Sequence, residues 1–194
     1  MMGDLKLVRL DRRHIGDFER LLGSKEFGGC FCAFWNNPGS EWEVRCKERP
    51  VENFEDTRRR VIAGEQRGFL AVREMDGAVV GWTGSGPKTA FPALQSRPGS
   101  RLGPWEDSAW AVGCLAVGFP YRGLGYSKQI VALLVEEARS AGAKTIEAYP
   151  VDPAGEDSAW RGLRPRFEAN GFTVANAEPL SDGGPQALRM ERSL

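Results

Sequence analysis

The chain has 194 residues, 41% hydrophobic and 27% charged, with 26 Lys and Arg set against 26 Asp and Glu. That length suits one well-buried domain, residues 1–194, and the composition excludes a disordered or fibrous class. The balanced charge excludes a global field for nucleic acid or an anionic membrane, and no run approaches the roughly 18 apolar residues of a membrane span.

The opening MMGDLKLVRLDRR lacks an export-signal pattern, so Cys30, Cys32, Cys46 and Cys114 are expected as reduced thiols of a cytoplasmic protein. Leu5 to Leu10 alternates as a strand. Asp11 then suits an N-cap, and Ile15, Phe18, Leu21 and Leu22 recur at helical spacing until Gly23. Residues 23–50, rich in Gly, Asn, Pro and aromatics, show no period and read as a long ordered loop with a helical piece. A second, mostly exposed helix is predicted over about residues 51–64. Strands near 68–74 and 78–84 flank Asp76-Gly77, a hairpin signal, and the proline-bearing stretch 85–107 is a long loop of the kind that borders sites. Trp110 to Val117 has the length and continuous apolarity of a central strand. After a glycine loop, Ile130, Val131, Leu134, Val135 and Ala138 mark a helix face ending at Ala141-Gly142. KTIEAYPVD is a short strand, RPRFEANG a helix with Gly171 at its end, and FTVANAE and QALRMER a terminal strand pair. The order describes an α/β (α+β) domain with a mixed sheet.

The informative stretch is FPYRGLGYSK, Phe119 to Lys128. A P-loop would need a Gly-Lys-Ser/Thr triplet, which is absent. A dinucleotide fingerprint fits Gly123 and Gly125, with Glu147 as the acid. It places Lys128 where a small residue belongs, and five residues separate the strand from the first glycine. What fits best is a pyrophosphate cradle: unpaired N–H groups and the positive dipole end of a helix, glycines that let oxygens approach, and Arg122 adding charge.

With LAV before it and RFEANGF (Arg166 to Phe172) after it, RGLGYS resembles the acetyl-coenzyme A signature of the GNAT acetyltransferases. CFCAFW, AWAVGCLAV and EAYPVDP are similar to one branch of that family. The resemblance implies a mixed sheet of about six to seven strands flanked by about four helices. It also implies acetyl-CoA as co-substrate, bound by Leu115, Ala116 and Val117 and by Arg122, Gly123, Leu124, Gly125, Tyr126 and Ser127. The acceptor is expected to be a small-molecule or peptide amine, and homodimers are common in the family. Ser127 departs from the usual Gly or Ala, and Phe167 stands where many members carry a tyrosine that protonates the leaving thiolate. Phenylalanine has no proton to give.

Direct transfer needs a polarised thioester, a neutral amine and a proton for sulfur. A backbone N–H of residues 115–117 suits the first. Of the carboxylates Glu106, Asp107, Glu147 and Asp152, Glu147 is favoured as base because a central strand has little other use for it. Tyr149 is favoured as acid, with Tyr126 behind it. A Cys-x-Cys pair with one distant cysteine and the single His14 makes no usual zinc set, so no metal is expected. Phe27, Phe31, Phe34, Trp35, Trp42, Trp82 and Trp105 are candidate walls of an acceptor pocket. The second reading, motivated by Phe167, is an acyl-CoA-binding sensor with little turnover.

Overall fold

The computed structural model describes residues 4–156 and 158–194. Strand β1 (Leu5–Arg9) passes through a 3-10 turn capped by the Asp11 side chain into helix α1 (Ile15–Leu22), which buries Phe18 and Leu22. The stretch without a period holds a 3-10 turn, Lys25–Phe27, and two helices, α2 (Ala33–Asn36) and α3 (Glu41–Glu48), before α4 (Pro50–Ile62). Neither left a pattern to read: α2 is a single turn, and α3 has no buried residue. The chain enters α2 through Phe31 and Cys32, both left-handed at φ 45° and 65°.

Strands β2 (Phe69–Arg73) and β3 (Val79–Thr83) pair antiparallel as the Asp76-Gly77 turn requires, with Gly77 at φ 73° and Asp76 accepting from the Ala78 N–H. The expected loop over 85–107 contains a short strand, β4 (Ser85–Pro87), and two 3-10 turns, Lys88–Ala90 and Pro92–Gln95. The expected strand over 110–117 is interrupted, as β5 (Ala109–Val112) and β6 (Ala116–Val117). Helix α5 (Tyr126–Ser140) follows the glycine loop. Then come β7 (Thr145–Ala148), β8 (Val151–Asp152), α6 (Arg164–Glu168), β9 (Thr173–Pro179) and β10 (Gln186–Ser193).

Two sheets result, β1-β2-β3-β6 and β4-β5-β7-β10-β8 with β9 beside β10, all antiparallel except β5 with β7. They meet where β3 gives way to β4 and β5 to β6, and there the Gly113 N–H donates to the Gly84 carbonyl at 2.8 Å. Both glycines are forced by packing: a Cβ on Gly113 would lie 2.7 Å from Trp35, and one on Gly84 2.6 Å from the Cys32 sulfur. Ile130, Leu134 and Ala138 of α5 pack over Trp110, Val112 and Ile146 on one face. Phe18, Trp35, Leu70, Trp82, Phe91 and Tyr149 form the core of the other. Strands buried on both faces explain the near-continuous apolar runs around residues 69–72 and 109–117.

Candidate active site

The chain leaves β6 through a 3-10 turn, Phe119–Tyr121, passes Arg122 in extended conformation, and turns at Gly123 (φ 79°) and Gly125 (φ 81°) into α5. Both angles are left-handed and favour glycine. A Cβ at either would meet nothing within 4 Å, so the residues are glycine for backbone shape and an unobstructed outer surface. Gly125 caps a 15-residue helix without a side-chain cap, which leaves the first turn's N–H groups and the dipole available to an anion. Arg122 does not reach into this turn. Its Nε donates to the Val117 carbonyl (3.0 Å) and its Nη2 pairs with Glu26 (2.7 Å), whose other oxygen accepts from the Phe119 N–H (3.1 Å). Glu26, which the sequence did not single out, thereby clamps both ends of the loop. Tyr126 is buried at the start of α5, and Ser127 is half-buried in the first turn.

Gly118 donates to Val80 and Trp82 is opposite Ala116, so by antiparallel alternation Leu115 and Val117 turn their N–H groups away from β3. The Leu115 N–H is occupied: it donates to the Trp160 carbonyl at 2.8 Å. Pairing of β5 with β7 stops at Val112 and Ala148, and Tyr149 is the first residue beyond the last pair.

Glu147 and Tyr149 are brought together, in one buried network. Glu147, 1% exposed, accepts from Lys88 Nζ (2.8 Å), the Tyr149 hydroxyl (2.8 Å) and Arg189 Nη1 (3.0 Å). Lys88 is equally buried, and Arg189 also pairs with Glu191 at 2.6 Å. Burial, then the charge of Glu147, pushes the Tyr149 phenol well above its ordinary range. The other carboxylates lie apart from this network: Asp107 accepts from Thr89, Asp152 pairs with Arg164 at 2.9 Å, and Glu106 is exposed. Phe167 is buried against Phe172 at a ring distance of 5.5 Å, and His14 bonds to Asp11 at 2.8 Å.

The aromatic candidates divide. Phe34 meets Trp35 (4.5 Å), Trp42 (5.0 Å) and Trp160 (4.9 Å) edge-on, and Trp35 lies 5.7 Å from Tyr149, so a cage stands beside the point where β5 and β7 part. Phe31 packs on Phe18 and Phe54, Trp82 is in the core, Phe27 lies near Arg122, and Trp105 is partly exposed. Two arginines complete the cage. Arg97 stands 4.4 Å over Phe34, and Arg161 stands 4.9 Å over Trp35 and 5.1 Å over Phe34. Neither arginine nor Trp160 was among the sequence candidates. The Trp-Arg pair just before a helix-starting Pro165 was the available sign, and periodicity has nothing to say about it.

Cys32 and Cys114 approach to 3.6 Å under this cage, and that contact, then burial, pushes the Cys114 thiol up. Such a thiol is inert as a nucleophile. Cys30 is lowered to about 7, first by a hydrogen bond from Cys46 and further by the N–H groups opening α2. Surface hollows of about 550 Å³, between Arg9–Arg13 and the end of α4, and about 320 Å³, against α4, include neither the glycine loop nor the cage. The chemistry is therefore assigned from side chains and backbone groups rather than from concavity. Among the described residues no group of three or more His, Cys, Asp or Glu could hold a metal, and no helix is long and apolar enough to cross a membrane.

The acetyltransferase (GNAT) family model matches residues 31–161. No curated protein sequence matches the chain. Among solved structures, AAC(6')-Ib in complex with ribostamycin and coenzyme A is similar at a TM-score of 0.64 and 18% identity, over 98% of this chain and 94% of that one. A GCN5-related N-acetyltransferase from Kribbella flavida gives 0.58 and 17% over 98% of both chains. A spermidine N-acetyltransferase chimera from Vibrio cholerae gives 0.59 and 11% over 98% and 96%. These likenesses are of fold.

Proposed function

We propose that this chain, which belongs to the acetyltransferase (GNAT) family and is an acyltransferase, moves the acetyl group of acetyl-coenzyme A directly onto a primary amine. The observation that carries the reading is the unobstructed turn of Gly123 and Gly125 at the uncapped start of α5, following a strand whose alternate N–H groups face away from β3. In this proposal the N–H groups of residues 123–127 hold the pyrophosphate, with Leu124 and Tyr126 shaping the turn. Glu26 and Arg122 fix the loop. Leu115, Ala116 and Val117 supply the strand edge for the pantetheine arm. The amine attacks the thioester carbonyl, the C–S bond breaks, and the thiolate takes a proton.

Glu147 and Tyr149 are proposed in a changed role. A carboxylate already held by two cations and a phenol is a poor base, and a phenol raised by burial is a poor acid toward a thiolate. Together they act as positioning residues, fixing the end of β7 beside the cage, while solvent carries the protons. A carboxylate that already accepts from three donors supports this assignment.

A specific observation favours a second reading, a sensor with little turnover. The Leu115 N–H, best placed to polarise a thioester oxygen, is engaged by Trp160, and Phe167 offers no acid. Thiol release from acetyl-CoA in the presence of a panel of primary amines, with acetylated product identified by mass, separates the two. Turnover above the amine-free rate supports transfer. Stoichiometric acetyl-CoA binding with no product supports the sensor.

A further inference from the structure

The cage holds a concentration of unmet donors. Arg161, 5% exposed, stands over Phe34, Trp35 and Trp160, makes no ion pair among the described residues, and has an Nε without a partner. Arg97 gives its Nη2 to the carbonyls of Asn37 (2.8 Å) and Gly39 (3.1 Å), yet its Nε is also buried and unpaired. The indole N–H groups of Trp35 and Trp42 are buried without acceptors as well. Four donors of one cage therefore lack an acceptor, and two of them belong to cations.

Among the described residues, the surroundings do not supply the missing negative charge. Glu147 is saturated by Lys88, Arg189 and Tyr149. Glu43 acts on Arg97 only across space. Desolvation, and the field of Arg97, lower Arg161 to about 10, as expected of a buried cation short of a counter-ion. A buried guanidinium without a partner is costly, and a carboxylate is the group its fork matches. The position is informative too. Arg161 directly follows the residue whose carbonyl holds the Leu115 N–H, and it acts on Cys114, one residue before Leu115. A ligand anchored there lies beside the strand assigned to the thioester.

We propose that the acceptor is a zwitterionic amine, an amino acid with a free carboxylate and an apolar or aromatic body. Its carboxylate pairs with Arg161, Arg97 lends a second positive charge, and the body packs against the half-buried Phe34 and Trp42. This rests on the acetyltransferase reading above. The same two arginines disfavour polycationic acceptors, which would bring further positive charge beside theirs.

The test compares each of the twenty common amino acids with its C-terminal amide, and phenylalanine also with phenethylamine, using acetyl-CoA and following thiol release and product mass. At least one amino acid is expected to exceed its amide at least tenfold in kcat/KM. Arg161→Met is expected to abolish that preference, and Arg161→Lys to retain part of it. A binding readout independent of turnover accompanies it: phenylacetate, but not phenylacetamide, raises the melting temperature of the wild type and not of Arg161→Met. Acetyl-CoA titration is run on every variant, so loss of donor binding, which would overturn the parent reading, is distinguishable from loss of acceptor preference. Acetyl-CoA binding with amides acetylated as fast as amino acids, or with polyamines preferred, overturns the proposal. So does faster transfer from succinyl-CoA than from acetyl-CoA that Arg161→Met erases, since the anion would then belong to the donor.

Discussion

Replacing Glu147 by Gln separates the positioning role from a catalytic one. The carboxylate is 1% exposed and accepts from Lys88 and Arg189 at 2.8 and 3.0 Å. Removing its charge strands Lys88, also 1% exposed, beside a neutral amide, whereas Arg189 retains Glu191 at 2.6 Å. Breaking a buried pair from one side costs about 3–5 kcal/mol, because the surviving charge remains desolvated. For a chain of this length each kcal/mol shifts the melting temperature by about 2–4 °C, so a loss of about 10 °C is expected. In Lys88→Met/Glu147→Gln the stranded ammonium is gone, and at least half of that loss should return as a coupling between the two sites. Melting followed by circular dichroism, with urea titrations for the free energies, makes the measurement. A Glu147→Gln protein that melts within about 2 °C of wild type, a scale set by under 1 kcal/mol, yet loses all transfer would refute the positioning argument and restore Glu147 as the base.

Tyr149→Phe removes a hydrogen bond to a charged acceptor and should cost about 1.5–3 kcal/mol in urea unfolding while lowering kcat only a few-fold. A kcat loss of a thousand-fold or more would make the phenol the acid after all. Gly113→Ala places a methyl 2.7 Å from Trp35 and should cost about 1–3 kcal/mol, as overpacking does; an unchanged melting temperature would show that the junction can relax. Cys30 is lowered from 9.0 to about 7, so its contribution is present above about 9 and is lost as pH falls through about 7. The stability advantage of wild type over Cys30→Ser should therefore grow between pH 7 and pH 9, and urea melts showing a pH-independent difference would sink the assignment.

Element type was legible where one interaction dominates. The α5 face of Ile130, Leu134 and Ala138 and the Asp76-Gly77 hairpin appear as read, because a stripe or a turn residue suffices to fix each. The segment over residues 23–50 was not legible. Its helix α2 is held by tertiary contacts, with Asn36 bonded to Gln66 and Thr57 to the Phe31 carbonyl, and none of these leaves a periodic trace. The interruption between β5 and β6 was hidden for a related reason. Gly113 is dictated by Trp35, far away in sequence. At the candidate site, Gly123 and Gly125 were legible because a left-handed backbone favours glycine. Glu147 stood out as an acid in an apolar strand, whereas its partners Lys88 and Arg189 come from other elements and left no local sign. Arg161 and Trp160 matter through the side chains they stack upon, which no local pattern encodes.

The glycine turn that opens α5 is proposed to hold acetyl-CoA. Calorimetric titration of acetyl-CoA into wild type and Gly123→Asp tests it most directly. Aspartate tolerates a left-handed backbone, and its side chain would extend into free space, so the fold is retained while a negative charge faces the pyrophosphate. One site per chain is expected in the wild type and at least tenfold weaker binding in the variant, whose melting temperature falls only by the few degrees that about 1 kcal/mol of left-handed strain costs. Wild-type protein that binds no acetyl-CoA, or a variant that binds it equally well, would contradict it.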